Sequence, residues 1–271
     1  MTFVHLHNHT SYSLLDGASR IEDLVAKAKA DSQPGIATTD HGNLYSWIPF
    51  YKECKSQDIN PILGIETYFC EDREVKGVKA GQGSLDGSDK RYYHLSLMAK
   101  DEVGYRNLIK LSSEAFLEGF WHKPRNDWGM LEAHNDGLIV TTGCLGGIVL
   151  QHLLHEDYEG ALAAASRFRD IFGKENLYVE LQNHGLVAQR KTNPWLIDIA
   201  KRLDLKTICT NDTHYVNHDD AHAHDILLCT QTGSKVKDEK RFRLSLISTT
   251  SRHQMRCATC SPRFLNRVIT H

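Results

Sequence analysis

No stretch of 18 consecutive apolar residues occurs in the 271-residue chain, which excludes an α-helix that spans a membrane. The N-terminus also lacks the basic start and apolar stretch of a secretory signal; Met1–Thr10 is rich in histidine instead. Net charge is close to absent, at −2, so there is no global basic footprint for nucleic acid. DNA would have to be engaged through local geometry, bound metal or a larger polypeptide. The seven cysteines are odd in number and scattered, most of them in apolar strand-like runs. They do not form a disulfide framework, and reduced thiols in a cytoplasmic protein are the expectation. Acidic residues are missing altogether from Leu244–His271, which also lacks lysine yet holds Arg252, Arg256, Arg263 and Arg267. This divides the chain into a domain over 1–243 and a tail over 244–271, expected to be disordered or translated out of frame. Cys257 and Cys260 in that tail form a CxxC with no second pair, which argues against a zinc ribbon.

What the chain does have is histidine, 16 residues of it, and metal binding is the usual reason for such enrichment. Hydrophobic residues at 41% suffice for a sizeable core. Short apolar runs predict strands at Phe3–His9, Gly35–Thr39, Pro61–Phe69, Tyr92–Ala99, Leu138–Thr142, Leu177–Leu181 and Lys206–Thr210. Helical periodicity predicts Arg20–Ala30, Leu44–Gln57, Glu102–Glu118, Tyr158–Phe172 and Lys191–Leu203. Seven strands separated mostly by helices read as an α/β fold, a parallel βα barrel. The glycine-rich, charged stretch Val75–Lys90 reads as a loop, not a crossover helix.

Polar residues fall at strand ends. His5, His7 and His9 are spaced by two and would share one face of an extended chain. Asp40-His41-Gly42 ends the second strand, Glu66 sits inside an apolar run of the third, and His94 lies in the fourth. The next three strands run into Cys144, His184 and Asn211-Asp212-Thr213-His214. In βα barrels the active site is built at the C-terminal ends of the strands. Unpartnered buried carboxylates and imidazoles are expensive, and divalent cations satisfy several at once. More than four candidate ligands implies more than one ion, and two close ions can clamp a phosphoester and generate hydroxide at neutral pH. His5 reads as a packing residue. His122, His134, His152, His155, His218, His222 and His224 read as structural or solvated.

At these residues the chain resembles the PHP (polymerase and histidinol phosphatase) superfamily, and above all its branch at the N-terminus of bacterial DNA polymerase III alpha subunits. The resemblance runs from Thr2 to about Arg243 and rests on Phe3–Gly17, Thr39–Gly42, Ile62–Glu66, Gly104–Ser113, Thr141–Cys144, Asp170–Gly173, Asn211–Tyr215 and His224–Gly233. It implies a distorted seven-stranded βα barrel with two to three divalent ions, zinc or manganese first and iron or magnesium as alternatives. The implied ligands are His7, His9, Asp16, His41, Glu66, His94, Cys144, Asp212 and His214, with His184 in support. One ion would be held by His7, His9 and Asp212, a second by His94 and Cys144, and a third by Asp16, His41 and His214, with Glu66 bridging the first two. An intact set implies 3′–5′ exonuclease activity on DNA, with the rest of an alpha subunit and the replisome's proofreading and clamp proteins as partners. Small-molecule phosphatase and non-catalytic metal-stabilised scaffold are the competing readings. The chain is too short for palm, thumb and fingers, and no DxD pair of a polymerase palm is present, so a truncated or frameshifted piece unable to polymerise DNA is expected.

Overall fold

Alternation along the strands decides the fold, because it places one apolar residue from each of six strands into a single shared cluster. The computed structural model describes residues 3–76, 92–239 and 241. Its strands are β1 (Gly35–Thr38), β2 (Asn60–Phe69), β3 (Tyr93–Ala99), β4 (Arg125–Asn126), β5 (Leu138–Thr141), β6 (Leu177–Leu181) and β7 (Lys206–Cys209). They form one curled sheet in the order β1-β2-β3-β5-β6-β7, with β4 paired to β2. The helices are α1 (Ile21–Ala30), α2 (Trp47–Ser56), α3 (Glu102–Leu117), α4 (Trp128–Ala133), α5 (Ile148–Leu154), α6 (Tyr158–Phe172), α7 (Val187–Arg202) and α8 (Ala221–Thr232). No helix among the described residues is long and apolar enough to cross a membrane.

Val4, Leu6, Ala37, Ile62, Met98, Ile139, Tyr178 and Ile208 pack together as a buried plug inside the curl. Outside it, a larger cluster fills the space between the sheet and helices such as α3, α6 and α7, with Leu97, Leu108, Val140, Phe168, Val179 and Leu196 fully buried. On each strand the residue two or four positions from the plug points the same way. This is how Ile62 sets Glu66 and Tyr178 sets Glu180, whereas His41 and Asp212 lie in the loops that follow β1 and β7.

The seven-stranded, barrel-like α/β class is present, but two details of the expected barrel are corrected. The sheet is mixed: β3 runs antiparallel to both β2 and β5. A parallel neighbour needs a crossover, usually a helix; the stretch read as a loop, Val75–Lys90, lies from 77 onward outside the described residues. His94 therefore enters the site from the beginning of its strand and not from its C-terminal end. Second, Phe3–His9 is not a regular strand. Leu6 belongs to the plug, yet the next residue, His7, also contacts inward groups, so strict alternation fails there. The segment nonetheless lies between the two sheet edges: His5 and Asn8 carbonyls accept from Ala37 and Thr39, while His9 N donates to Thr213 and His7 O accepts from it. Cys54, Cys70, Cys144 and Cys229 are free thiols, whereas Cys209, expected to be reduced, is disulfide-bonded. The tail at 244–271 lies outside the described residues.

Candidate metal centre

All nine residues implied as ligands converge above the plug. Nε2 of His7 and of His9 lie 3.3 and 3.2 Å from the same oxygen of Asp212. The Cys144 Sγ lies 3.5 Å from Glu66 and 3.6 Å from Nδ1 of His94. Asp16 reaches Nε2 of His41 at 2.8 Å and of His214 at 3.5 Å. Glu66, 1% exposed, sits between these groups, with one oxygen 3.1 Å from His7 and the other 2.7 Å from His41 and 3.3 Å from His94. Three overlapping sets have ligand atoms close enough for one ion: His9, His41 and His214; His7, His9 and Glu66; and His41, Glu66 and His94.

The donor set fits divalent cations on an observation of its own. Nε2 of His7, Nε2 of His9, Nδ1 of His41, Oε2 of Glu66 and Oδ1 of Asp212 are all buried without a hydrogen-bond partner. Neighbouring atoms of this set crowd within 2.7 to 3.5 Å of one another without a well-formed hydrogen bond, an arrangement that a shared cation would satisfy.

The ring nitrogens that face away are tied down, which fixes the tautomers. Nδ1–H of His7 donates to Glu180 at 2.8 Å. That of His9 donates to Ser13 Oγ at 3.1 Å, and Ser13 donates to Asp40 at 2.6 Å. That of His214 donates to the Asp212 carbonyl at 2.9 Å. Each leaves Nε2 aimed inward, where on loss of its proton it would offer a lone pair to a cation. Asp212 itself is left-handed, with φ +48°, a conformation aspartate tolerates better than most residues and one that clusters at functional sites.

Electrostatics follow from this crowding. Burial would depress the His41 imidazole, but Glu66 and Asp16 raise it to about 10. His7 is likewise raised against burial by Asp212, Glu180 and Glu66. His9 goes the other way, down to about 4, through burial and the neighbouring His41 and His214. Burial would raise Glu66, yet His94, His7 and His41 hold it well below the carboxylate range. Burial, with Glu66 and Asp212 nearby, pushes the Cys144 thiol well up, so only a cation can make it a thiolate.

His184 lines the cleft without joining the cluster: its Nε2–H donates to the Asn211 carbonyl at 2.7 Å and its Nδ1 accepts from Gln189 at 2.8 Å. Asp40 spends its carboxylate on Thr10, Ser13 and Thr38. His5 is buried and faces Gln33 and α1, away from His7 and His9, because the alternation breaks after Leu6. Two supporting residues escaped the sequence reading. Glu180, buried in β6, receives His7, Thr141, Thr210 and Gln182. An acid inside the apolar run Leu177–Leu181 carries the same signal that exposed Glu66. His224, expected to be solvated, is 2% exposed, and its Nε2–H donates to the Asp16 carbonyl at 2.8 Å. That contact spans 208 positions, so no local pattern could reveal it.

The centre forms the floor of a cleft of 840 Å³. Bound divalent ions there would polarise an ester and activate water, while the cleft admits a substrate larger than phosphate.

The chain is 44% identical to DNA polymerase III subunit alpha of Borreliella burgdorferi, over 89% of this chain and 20% of that protein. It is 42% identical to the Thermus aquaticus subunit of the same name, over 90% of this chain and 20% of that one. It thus spans about a fifth of the length of these relatives. A histidinol phosphate phosphatase structure from Lactococcus lactis, solved with zinc, L-histidinol and phosphate, aligns with a TM-score of 0.38 and 13% identity, over 86% of this chain and 94% of that one. The PHP domain family matches residues 5–184, and the chain belongs to that family.

Proposed function

We propose that this chain is a metal-dependent phosphodiester hydrolase that removes nucleotides from DNA 3′ ends, as the PHP domain of a replicative polymerase alpha subunit. The observation that carries the reading is the set of five buried candidate ligand atoms, crowded together without a hydrogen-bond partner, at the floor of an open cleft. The polymerase names of the relatives point to DNA as the substrate and to the rest of an alpha subunit, with its replisome proofreading and clamp proteins, as partners in the cytoplasm.

His7, His9, Asp16, His41, Glu66, His94, Cys144, Asp212 and His214 would hold two to three ions, zinc or manganese by the mixture of imidazole, thiolate and carboxylate. When bound, the ions would supply positive charge at the phosphoryl oxygens and an acidified water. Glu180, Ser13 and the Asp212 carbonyl orient three imidazoles, so little reorganisation is needed when ligands engage. His184 steadies the backbone just before Asp212.

The test is metal analysis of the purified chain alongside digestion of 3′-labelled single-stranded and mismatched DNA with manganese or zinc. Nucleotide release, lost in Asp212→Asn and His9→Ala, is expected. Phosphate release from monoesters without nucleotide release would favour a small-molecule phosphatase. A folded, metal-loaded chain that hydrolyses neither would be a scaffold.

A further inference from the structure

The cleft in front of the metal centre is acidic at its floor, and its wall carries a lysine. Asp16, Glu66 and Asp212 line it, and Lys123 is the one lysine or arginine among the described lining residues. Its ammonium lies 5.2 Å over the centre of the Tyr68 ring. No carboxylate among the described residues forms an ion pair with it. Tyr68 in turn stacks on His41, with centres 5.9 Å apart and planes within 17°, and meets Tyr92 edge-on at 4.8 Å. Candidate ligand, ring and cation thus form a ladder of successive contacts through Tyr68.

The ladder is held rigidly. β4 pairs Arg125 opposite Tyr68, two residues after Lys123. Arg125 is fully buried, and its guanidinium donates to the carbonyls of Gly119, Arg73 and Val75. Trp121 N donates to the Lys123 carbonyl across His122, which is left-handed at φ +57°. A non-glycine residue in that region costs free energy, which the surrounding bonds must offset. Gly42, at φ +62°, lets the Tyr68 ring and Pro124 close on the backbone after His41, because a Cβ there would lie 2.7 Å from the ring. Tyr45, 58% exposed, and Phe116, 41% exposed, present further rings to the same cleft.

A phosphate monoester needs nothing beyond the metal floor. A polymer with a second phosphate and flat bases needs a cation one step away and aromatic surfaces beside it. We infer that Lys123 binds the backbone phosphate next to the scissile one, with Tyr45 and Phe116 as base-stacking surfaces, making the cleft a site for single-stranded oligonucleotide. The assignment rests on the phosphodiesterase reading for its choice of substrate, but not for its own test.

The experiment uses the full chain and Lys123→Gln, Lys123→Arg and Tyr45→Ala/Phe116→Ala variants. Binding of a fluorescein-labelled single-stranded oligonucleotide to metal-stripped protein is followed by anisotropy over a salt series. Hydrolysis of the same oligonucleotide and of bis(p-nitrophenyl) phosphate, which has one phosphate, is followed in metal-loaded protein. Lys123→Gln is expected to weaken oligonucleotide binding about 10-fold at low salt and to reduce the log–log salt slope by about 0.7, the single-strand value for one phosphate contact. Lys123→Arg should retain both, and small-diester hydrolysis should be unchanged. The aromatic double variant should weaken binding about 10-fold with the salt slope intact. Wild-type binding and slope in Lys123→Gln, or an equal loss on the small diester, overturns the assignment. Lysine-dependent binding without any hydrolysis supports the cleft while sinking the hydrolase reading, and hydrolysis of both esters indifferent to Lys123 does the reverse.

Discussion

Nδ1 of His41 lies 2.7 Å from Oε2 of Glu66, and neither atom has a hydrogen-bond partner in good geometry. The contact is a close charge pair, and with His94 both residues would help to hold a bound cation. Without metal, burial opposes charge on His41, but Glu66 and Asp16 raise it from 6.5 to about 10. A raised pKa means its contribution to stability is complete below about 6.5 and disappears as pH rises toward 10. Asp16, Glu66 and Asp212, held low against burial by their histidine neighbours, contribute above about 4 and lose that contribution as pH falls. His5 and His9, lowered to about 4, lose stability as pH falls below about 6.5, so the chelated chain should be most stable near pH 6.5, and its melting temperature should drop steadily toward pH 10. Metal binding should release protons, seen by calorimetry in buffers of different ionisation enthalpy. A melting temperature that stays flat from pH 6.5 to 10 in chelator contradicts this.

Glu180→Gln keeps the shape around His7 but removes the charge that fixes its tautomer. Metal affinity, measured by competition with a chromogenic chelator, should fall about 10–100-fold. His5→Leu should keep full metal content, since His5 faces α1 and not the centre. Equal affinities for Glu180→Gln and wild type would remove Glu180 from the metal's support.

His224 ties α8 to the loop that carries Asp16. His224→Ala should cost about 1–3 kcal/mol in urea unfolding, through a lost bond and a buried void. It should also lower metal content at the Asp16, His41 and His214 end. His224→Gln, which retains a donor, should recover part of both losses. If the alanine variant loses stability but binds metal in full, the helix supports the fold alone.

Gly17→Ala tests the same loop from the other side. A Cβ at Gly17 would lie 2.1 Å from the Thr10 carbonyl oxygen, backbone against backbone. Overpacking of that kind costs about 1–3 kcal/mol, and thermal melting with and without manganese should show both a lower transition and a smaller metal-induced rise.

Much of this architecture was legible because its signals are local. Strand and helix periodicities place β1, β2, β3, β5, β6 and β7 and five of the helices within a few residues of their observed limits. The acid inside the apolar run of β2 announces Glu66. What stayed hidden depends on distant partners. β4 is two polar residues, buried because Arg125 satisfies three backbone carbonyls. α8 reads as polar because the reason for burying His224 lies at Asp16. Asp16 itself sits in a loop with no periodicity, and only the family resemblance singled it out. The reversed direction of β3 is a pairing decision, which side-chain pattern does not encode.

The stave formed by His5–His9 has a consequence for biosynthesis. It completes the ring only by bonding Ala37 and Thr39 on one side and Thr213 on the other. The first two metal-facing imidazoles leave the ribosome some 200 residues before Asp212 and His214. At bacterial-scale elongation of about 5–20 residues per second, they wait roughly 10–40 s with an acidic and histidine-rich cluster incomplete. Any metal bound at this centre would therefore be loaded late in the life of the nascent chain, and closing so long a loop is also the step that should limit refolding.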